Sequence, residues 1–158
     1  MRGFNQVLHV DATAGWVDTE GMITYEDLTR ECLVHGVMPA VVPQLKTITL
    51  GGAVAGVGIE SSSHRYGLVH DTMLELDVLL GDGRVVTCTA DNEHADLFFG
   101  FPNSYGTLGY ALRVKAKVVR VTRQKSGRVL AGFQTTQTRL RSLRPGSWQE
   151  ACESQAIQ

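Results

Sequence analysis

The sequence predicts a mixed α+β fold with mainly antiparallel strand pairing, and three stretches carry that reading. In "MLELDVLL", Leu74, Leu76, Val78 and Leu80 fall on one side, with Glu75 and Asp77 on the other. The "GDG" that follows offers Asp82-Gly83 as a type I′ turn pair, and "RVVTC" returns antiparallel. In "YALRVKAKVVRV", Leu112, Val114, Ala116 and Val118 alternate with Arg113, Lys115 and Lys117, which predicts a half-exposed strand with a solvated basic face. Near the other end, Thr24 with Asp27 three residues on is a helix start signal. Leu28, Cys32 and Leu33 supply that helix's apolar face, and Gly36 suits the left-handed residue that closes it.

The remaining elements fall between these. "QVLHVDA" (Gln6–Ala12) and "GWVDTEG" (Gly15–Gly21) read as short strands around a turn. "MPAVVPQL" is extended, because Pro39 and Pro43 restrict the residues before them. "DNEHADLFFGF" predicts a short capped helix burying Leu97, Phe98 and Phe101, and "GTLG" (Gly106–Gly109) is a tight glycine site leading into the last strand. From Thr122 onward the chain is rich in Gln, Thr, Ser and Arg without sustained periodicity, which predicts a poorly ordered tail over 122–158. Charge changes at the same point: residues 1–121 hold 9 Lys/Arg against 14 Asp/Glu, and residues 122–158 hold 6 against 2.

Composition narrows the function classes. With 158 residues, 43% hydrophobic content and a net charge of −1, the chain reads as one ordinary globular domain or part of a larger one. Nothing in it suggests a nucleic-acid partner. No apolar run reaches the length of a membrane span, and "MRGFNQVLHVDATAG" lacks the apolar core of a signal peptide, so a cytoplasmic setting is the default expectation. Cys32, Cys88 and Cys152 are widely spaced, which disfavours a disulfide framework or zinc cage. Two buried hydrophobes and one tail thiol are expected instead. None of the five histidines forms a metal motif. His9, His35 and His94 read as surface or cap residues, while His64 and His70 flank the glycine-rich stretch and suit local hydrogen bonds.

That stretch, "TITLGGAVAGVGIESSSHRYGL" (residues 47–68), opens strand-like and then spends Gly51, Gly52, Gly56 and Gly58 within eight positions. Glycine admits positive φ and close approach to the main chain, and successive free N–H groups form an anion cradle to which Ser61, Ser62 and Ser63 would add hydroxyl donors. A tightly packed loop is the alternative. The Walker pattern fails for want of its lysine. A dinucleotide fingerprint is imitated by Gly56-Val57-Gly58 and Ser61 with Glu75 or Asp77 beyond, but "SSSHRYGL" is a poor helix that Gly67 interrupts. No G-x-S-x-G elbow surrounds the serines.

The wider context, "VVPQLKTITLGGAVAGVGIESSSHRYGLVHDT" followed by "LLGDGRVVTCTADNEHADLFFGFPNSYGTLGYALRVKAKVV", resembles the FAD-binding PCMH-type domain of the vanillyl-alcohol oxidase/p-cresol methylhydroxylase flavoproteins. Within that superfamily it is most similar to the Δ24-sterol reductase (Diminuto/seladin) branch, through G-x-G-I-E-S-S-S-H-x-Y-G-L, "DNEHADLF" and "GTLGY". The resemblance covers about residues 5–121. It implies that 1–42 end a first FAD-binding subdomain and that 43–121 form the second, an antiparallel sheet flanked by helices. The chain would begin after the family's first pyrophosphate loop, and the atypical tail would stand where a substrate domain is expected.

FAD is the implied cofactor. The implied contacts are Thr49, Leu50, Gly51, Gly52, Ala53, Val54, Ala55, Gly56, Val57, Gly58, Ile59, Glu60 and Ser61, whose main-chain amides would wrap an extended dinucleotide, with closest approach at Gly51 and Gly52. Gly106, Thr107, Leu108 and Gly109 match a second segment near the cofactor. The implied activity is that of an FAD-dependent oxidoreductase reducing a carbon–carbon double bond in a sterol-like, hydrophobic small molecule, with NADPH or another electron donor. An FAD-linked oxidase of an alcohol, or a truncated non-catalytic flavin-binding fragment, are the alternatives. No catalytic acid or base is assigned.

Overall fold

A computed structural model of the chain describes residues 3–121. The strands are β1 (Val7–Asp11), β2 (Trp16–Glu20), β3 (Val37–Pro39), β4 (Met73–Leu79), β5 (Val85–Thr89) and β6 (Tyr110–Arg120). The helices are α1 (Tyr25–Val34), α2 (Leu50–Gly56), α3 (Ser63–Tyr66) and α4 (Ala95–Gly100), with a 3₁₀ turn at Val69–Thr72. All the strand pairings are antiparallel. The strand order is β1-β2-β6-β4-β5, with β3 beside the far end of β6. The sheet therefore takes strands from both sides of position 42.

β6 is the hub because its alternation lets it serve two surfaces at once. Val114, Ala116 and Val118 face the core with at most 6% exposure, alongside Val17, Leu76, Val78 and Cys88 from neighbouring strands. Leu28 and Cys32 of α1, Leu50 and Val54 of α2, and Phe101 complete that interior. Each buried valine, leucine or phenylalanine among them contributes about 1.5–3 kcal/mol relative to an exposed one. Cys32 and Cys88 are buried free thiols, as expected of small hydrophobes, whereas Cys152 and the tail expectation lie outside the described residues.

The outward side of β6 is only in part the solvated basic face the alternation suggests: Lys117 is exposed, but Arg113 and Lys115 are engaged. The Arg113 guanidinium reaches Asp18 on β2 at 2.9 Å and Asp77 on β4 at 2.7 Å, and it also bonds Glu75. Lys115 lies over the Trp16 ring at 3.9 Å. Cross-strand register puts these groups side by side, so Arg113 and Lys115 are engaged within the sheet while Lys117 stays exposed.

Several local expectations hold. Thr24 Oγ1 accepts the Asp27 N–H at 3.2 Å, and Gly36 has φ +70°. Others change. Leu33 is exposed, because the buried stripe of α1 runs through Tyr25, Leu28, Thr29 and Cys32. A register shift between Met73 and Glu75 turns Met73 inward with Leu76 and Val78 and leaves Leu74 half-buried, while Leu80 is half-buried beyond the strand end. Leu97 is likewise only half-buried, so Phe98 and Phe101 anchor α4.

The β4–β5 connection is not a two-residue type I′ turn. Leu80 and Arg84 close it through an N–H···O bond of 2.9 Å, and of Gly81, Asp82 and Gly83 only Gly83 has positive φ. That is a three-residue loop with glycine at the left-handed position. Among the described residues no helix is long and apolar enough to cross a membrane.

Candidate functional site

Three backbones converge where β2 ends, α2 begins and β6 enters the sheet. The Gly21 N–H donates to the Leu112 carbonyl at 2.7 Å, and the Gly51 N–H donates to the Gly21 carbonyl at 2.8 Å. A Cβ on Gly21 would strike the Ala111 carbonyl, and one on Gly51 would sit 2.8 Å from the Gly21 oxygen. These two glycines are therefore demanded by chain-to-chain approach within the protein.

Beside that junction opens a cavity of about 280 Å³. Thr49, Gly51, Gly52, Ala55 and Gly56 form one wall; Phe101, Tyr105, Gly106 and Gly109 form another. Phe4, Gly21, Met22, Tyr110, Ala111 and Leu112 complete it. The Tyr105 N–H donates to the Ala55 carbonyl at 3.0 Å and ties the walls together. Among the described residues the lining is apolar, without lysine, arginine, histidine or a carboxylate. Among the described residues the non-glycine positions with positive φ are Val57 (72°), Asn103 (62°) and Tyr105 (50°), all within the two segments that build this cleft. For a β-branched residue such as Val57 that conformation is costly, and strain of this sort concentrates at functional sites.

The two glycine segments singled out from the sequence thus meet at one cleft, but not as an extended strip of free amides. "TITL" is not a strand. Thr49 is an N-cap, and Leu50–Gly56 is helical. The first amides of α2 are all spent: Leu50 on Ile23 O at 3.0 Å, Gly51 on Gly21 O, Gly52 on Thr49 Oγ1 at 3.2 Å, and Ala53 on Thr49 O at 2.9 Å. Open donors lie in the other segment. The amides of Gly106, Leu108 and Gly109 make no hydrogen bond among the described residues.

The other anticipated contacts are held elsewhere. Leu50, Ala53 and Val54 are in the core. Gly58 lies against Val69, whose Cγ2 would be 2.6 Å from a Cβ there. Ile59 is exposed, and Glu60 Oε1 accepts the Gln44 N–H at 2.8 Å. The serines are not a set of free donors: Ser62 Oγ donates to Ala40 O at 3.1 Å, and Ser63 Oγ accepts the Glu60 N–H at 3.0 Å. His64 Nδ1 lies 2.8 Å from the exposed Ser61's carbonyl oxygen, the local bond expected of it. Thr107 Oγ1 donates to Ser104 O at 2.7 Å, and Leu108 is partly exposed. Phe4, Gly21, Met22, Phe101, Tyr105, Ala111 and Leu112 were missed as lining residues. Tyr110 was missed as well, although it is the tyrosine of "GTLGY" and so stood in a flagged motif.

An apolar, glycine-walled cleft beside a strained loop is the place in this antiparallel α+β domain where a small organic ligand would sit. Comparison with known proteins makes the class specific. Residues 1–89 match the model of the FAD binding domain, and the chain belongs to that family.

The chain is 36% identical over 118 residues to a Delta(24)-sterol reductase of Pisum sativum, covering 75% of this chain and 21% of that protein. It is 36% identical over 113 residues to the human Delta(24)-sterol reductase, covering 72% and 22%. It is 35% identical over 109 residues to cytokinin dehydrogenase 7 of Oryza sativa subsp. japonica, covering 67% and 21%. The chain thus spans about a fifth of the length of these relatives. The crystal structure of 6-hydroxy-D-nicotine oxidase from Arthrobacter nicotinovorans shares the fold, with TM-score 0.70 and 23% identity over 78% of this chain and 26% of that one.

FAD is the cofactor this membership indicates. The cleft suits a flat ring system, given its apolar walls and the backbone donors at Gly106 and Gly109. Its α2 wall does not suit a pyrophosphate, since no cation lines the cleft and the helix's first amides are occupied.

Proposed function

We propose that this chain supplies part of the cofactor domain of an FAD-dependent oxidoreductase and that its cleft seats one aromatic ring system of FAD. The observation carrying this reading is the convergence of both glycine segments on one apolar cavity in a member of the FAD-binding family. Thr49, Gly51, Gly52, Ala55, Gly56, Gly106 and Gly109 would touch the ring. Val57–Ser61, with Thr107 and Leu108, would hold the two walls in place. When bound, FAD supplies hydride chemistry; the protein's part is to bind, orient and exclude water.

Reduction of a carbon–carbon double bond in a hydrophobic, sterol-like small molecule is the favoured activity, supported by the names of the pea and human relatives. NADPH or a comparable donor would provide the electrons, in a cytoplasmic setting. Oxidation of a small molecule is the second reading, favoured by the cytokinin dehydrogenase match. Among the described residues Thr49, Tyr105 and Tyr110 carry the only side-chain hydroxyls lining the cleft, so a carboxylic or imidazole acid–base group would come from outside it. That same lining is what supports a non-catalytic, flavin-binding role for the chain by itself.

The test is titration of the purified 158-residue chain with FAD, read by flavin fluorescence and by competition with AMP. Binding is expected, and Ala55→Trp, which fills the cavity from one wall, should weaken it at least tenfold while leaving far-UV circular dichroism unchanged. Absence of any flavin signal with folded wild-type chain, or an unaltered affinity in the tryptophan variant, would overturn the assignment.

A further inference from the structure

A second concavity, of about 540 Å³, opens at the other end of β6. The cleft touches Tyr110–Leu112, whereas this groove touches Lys117, Val118 and Val119, seven residues further along the strand and so about 23 Å away at 3.3 Å per residue. Its floor is apolar, formed in part by Ala40, Leu74 and Val118, and its rim carries Arg65, Tyr66 and Lys117. Among the described residues no carboxylate lines it.

The charges are what set this groove apart. Among the described residues Arg30, Lys46, Arg84 and Arg113 are each ion-paired. Among the described residues Arg65, Lys115, Lys117 and Arg120 have no carboxylate partner, and Lys115 lies over Trp16. Two of the remaining three line this one groove, within a body that carries 14 acidic against 9 basic residues over 1–121. The Arg65 guanidinium lies 5.3 Å from the centroid of Tyr66, which leaves an aromatic surface beside the positive charge. Two uncompensated cations over an apolar floor form a field that neither the fold nor the cleft uses.

We propose that this groove is a binding site for a small organic phosphate monoester, with the dianionic head held between Arg65 and Lys117 and an apolar or aromatic body laid on the floor beside Tyr66. Arginine offers a planar fork matched to phosphate oxygens, and lysine adds a point charge. The site needs no flavin, so its test stands apart from that of the cleft.

Phenyl phosphate is titrated into the isotope-labelled 158-residue chain, with phenol and inorganic phosphate as separate controls. The amides of Gly15, Ala40 and Lys117 should shift, while those of Gly51 and Gly106 should not. Phenyl phosphate should bind more tightly than either control, because each supplies only half of the recognition. Arg65→Gln and Lys117→Gln should each weaken binding about fivefold, as expected for exposed charge pairs, and the double variant by more. Both side chains are exposed, so the variants are expected to fold. Equal binding of phenol and phenyl phosphate, shifts confined to residues 122–158, or wild-type affinity in the double variant would each overturn the proposal.

Discussion

Replacing Arg113 with methionine keeps most of the side chain's stem and removes the one positive charge that Asp18, Glu75 and Asp77 share. The side chains are 23% exposed for Arg113, 21% for Asp18 and Asp77, and 29% for Glu75, so the cluster is neither a core nor a surface pair. Breaking a buried pair costs about 3–5 kcal/mol, and an exposed one about 0–1 kcal/mol. Partial solvent screening here places Arg113→Met between them, at about 2–3 kcal/mol of lost stability at pH 7.

The pH dependence distinguishes lost charge from lost packing. Burial would raise the Asp77 carboxyl, but hydrogen bonds from Arg113 and Thr87 outweigh that and hold it below its ordinary value. Its stabilising contribution in the wild type is complete above the unfolded carboxyl value of about 3.9 and is lost as pH falls through the lower folded value. In the variant, carboxylates crowded without a cation take up protons at higher pH, which relieves their repulsion. The stability gap should therefore narrow as pH falls from 7 towards 4.5. Urea unfolding followed by circular dichroism at several pH values measures it. A gap below about 0.5 kcal/mol, or one that stays constant over that range, would refute the reasoning.

Gly21→Ala should be among the most damaging single-methyl additions, costing more than about 3 kcal/mol, because the new Cβ meets the Ala111 carbonyl and no flexible side chain is there to yield. Thermal melting against Gly81→Ala, where a Cβ meets open space, provides the comparison. Cys32 and Cys88 should resist a thiol reagent at pH 8 until urea unfolds the chain. Burial, then the Glu31 charge, pushes the Cys32 thiol up to about 12, and burial, then Asp77, pushes Cys88 up to about 11. Mass spectrometry of each labelled peptide before and after unfolding reads this directly.

Much of the fold was legible in local chemistry. The alternation in β4 and β6 placed both strands, because a pleated strand exposes every second side chain whatever it pairs with. Thr24, Asp27 and Gly36 marked the ends of α1 because caps act within one helical turn. Errors arose where a distant segment decided. "TITL" has strand composition, yet Thr49 caps a helix whose first amides donate to Ile23 and Gly21. Arg113 on the basic face of β6 reads as solvated in the sequence and is ion-paired in the fold, since its partner Asp18 lies 95 residues away.

The sequence alone determined the family and the glycine segments that matter, because composition, spacing and motif order are properties of the chain itself. Only the tertiary structure decided what those glycines are for. Gly21 and Gly51 let backbones touch, and Gly106 and Gly109 line a cleft with their amides unspent. Whether an N–H faces a ligand or a carbonyl depends on which other segment arrives beside it, and no local pattern holds that information.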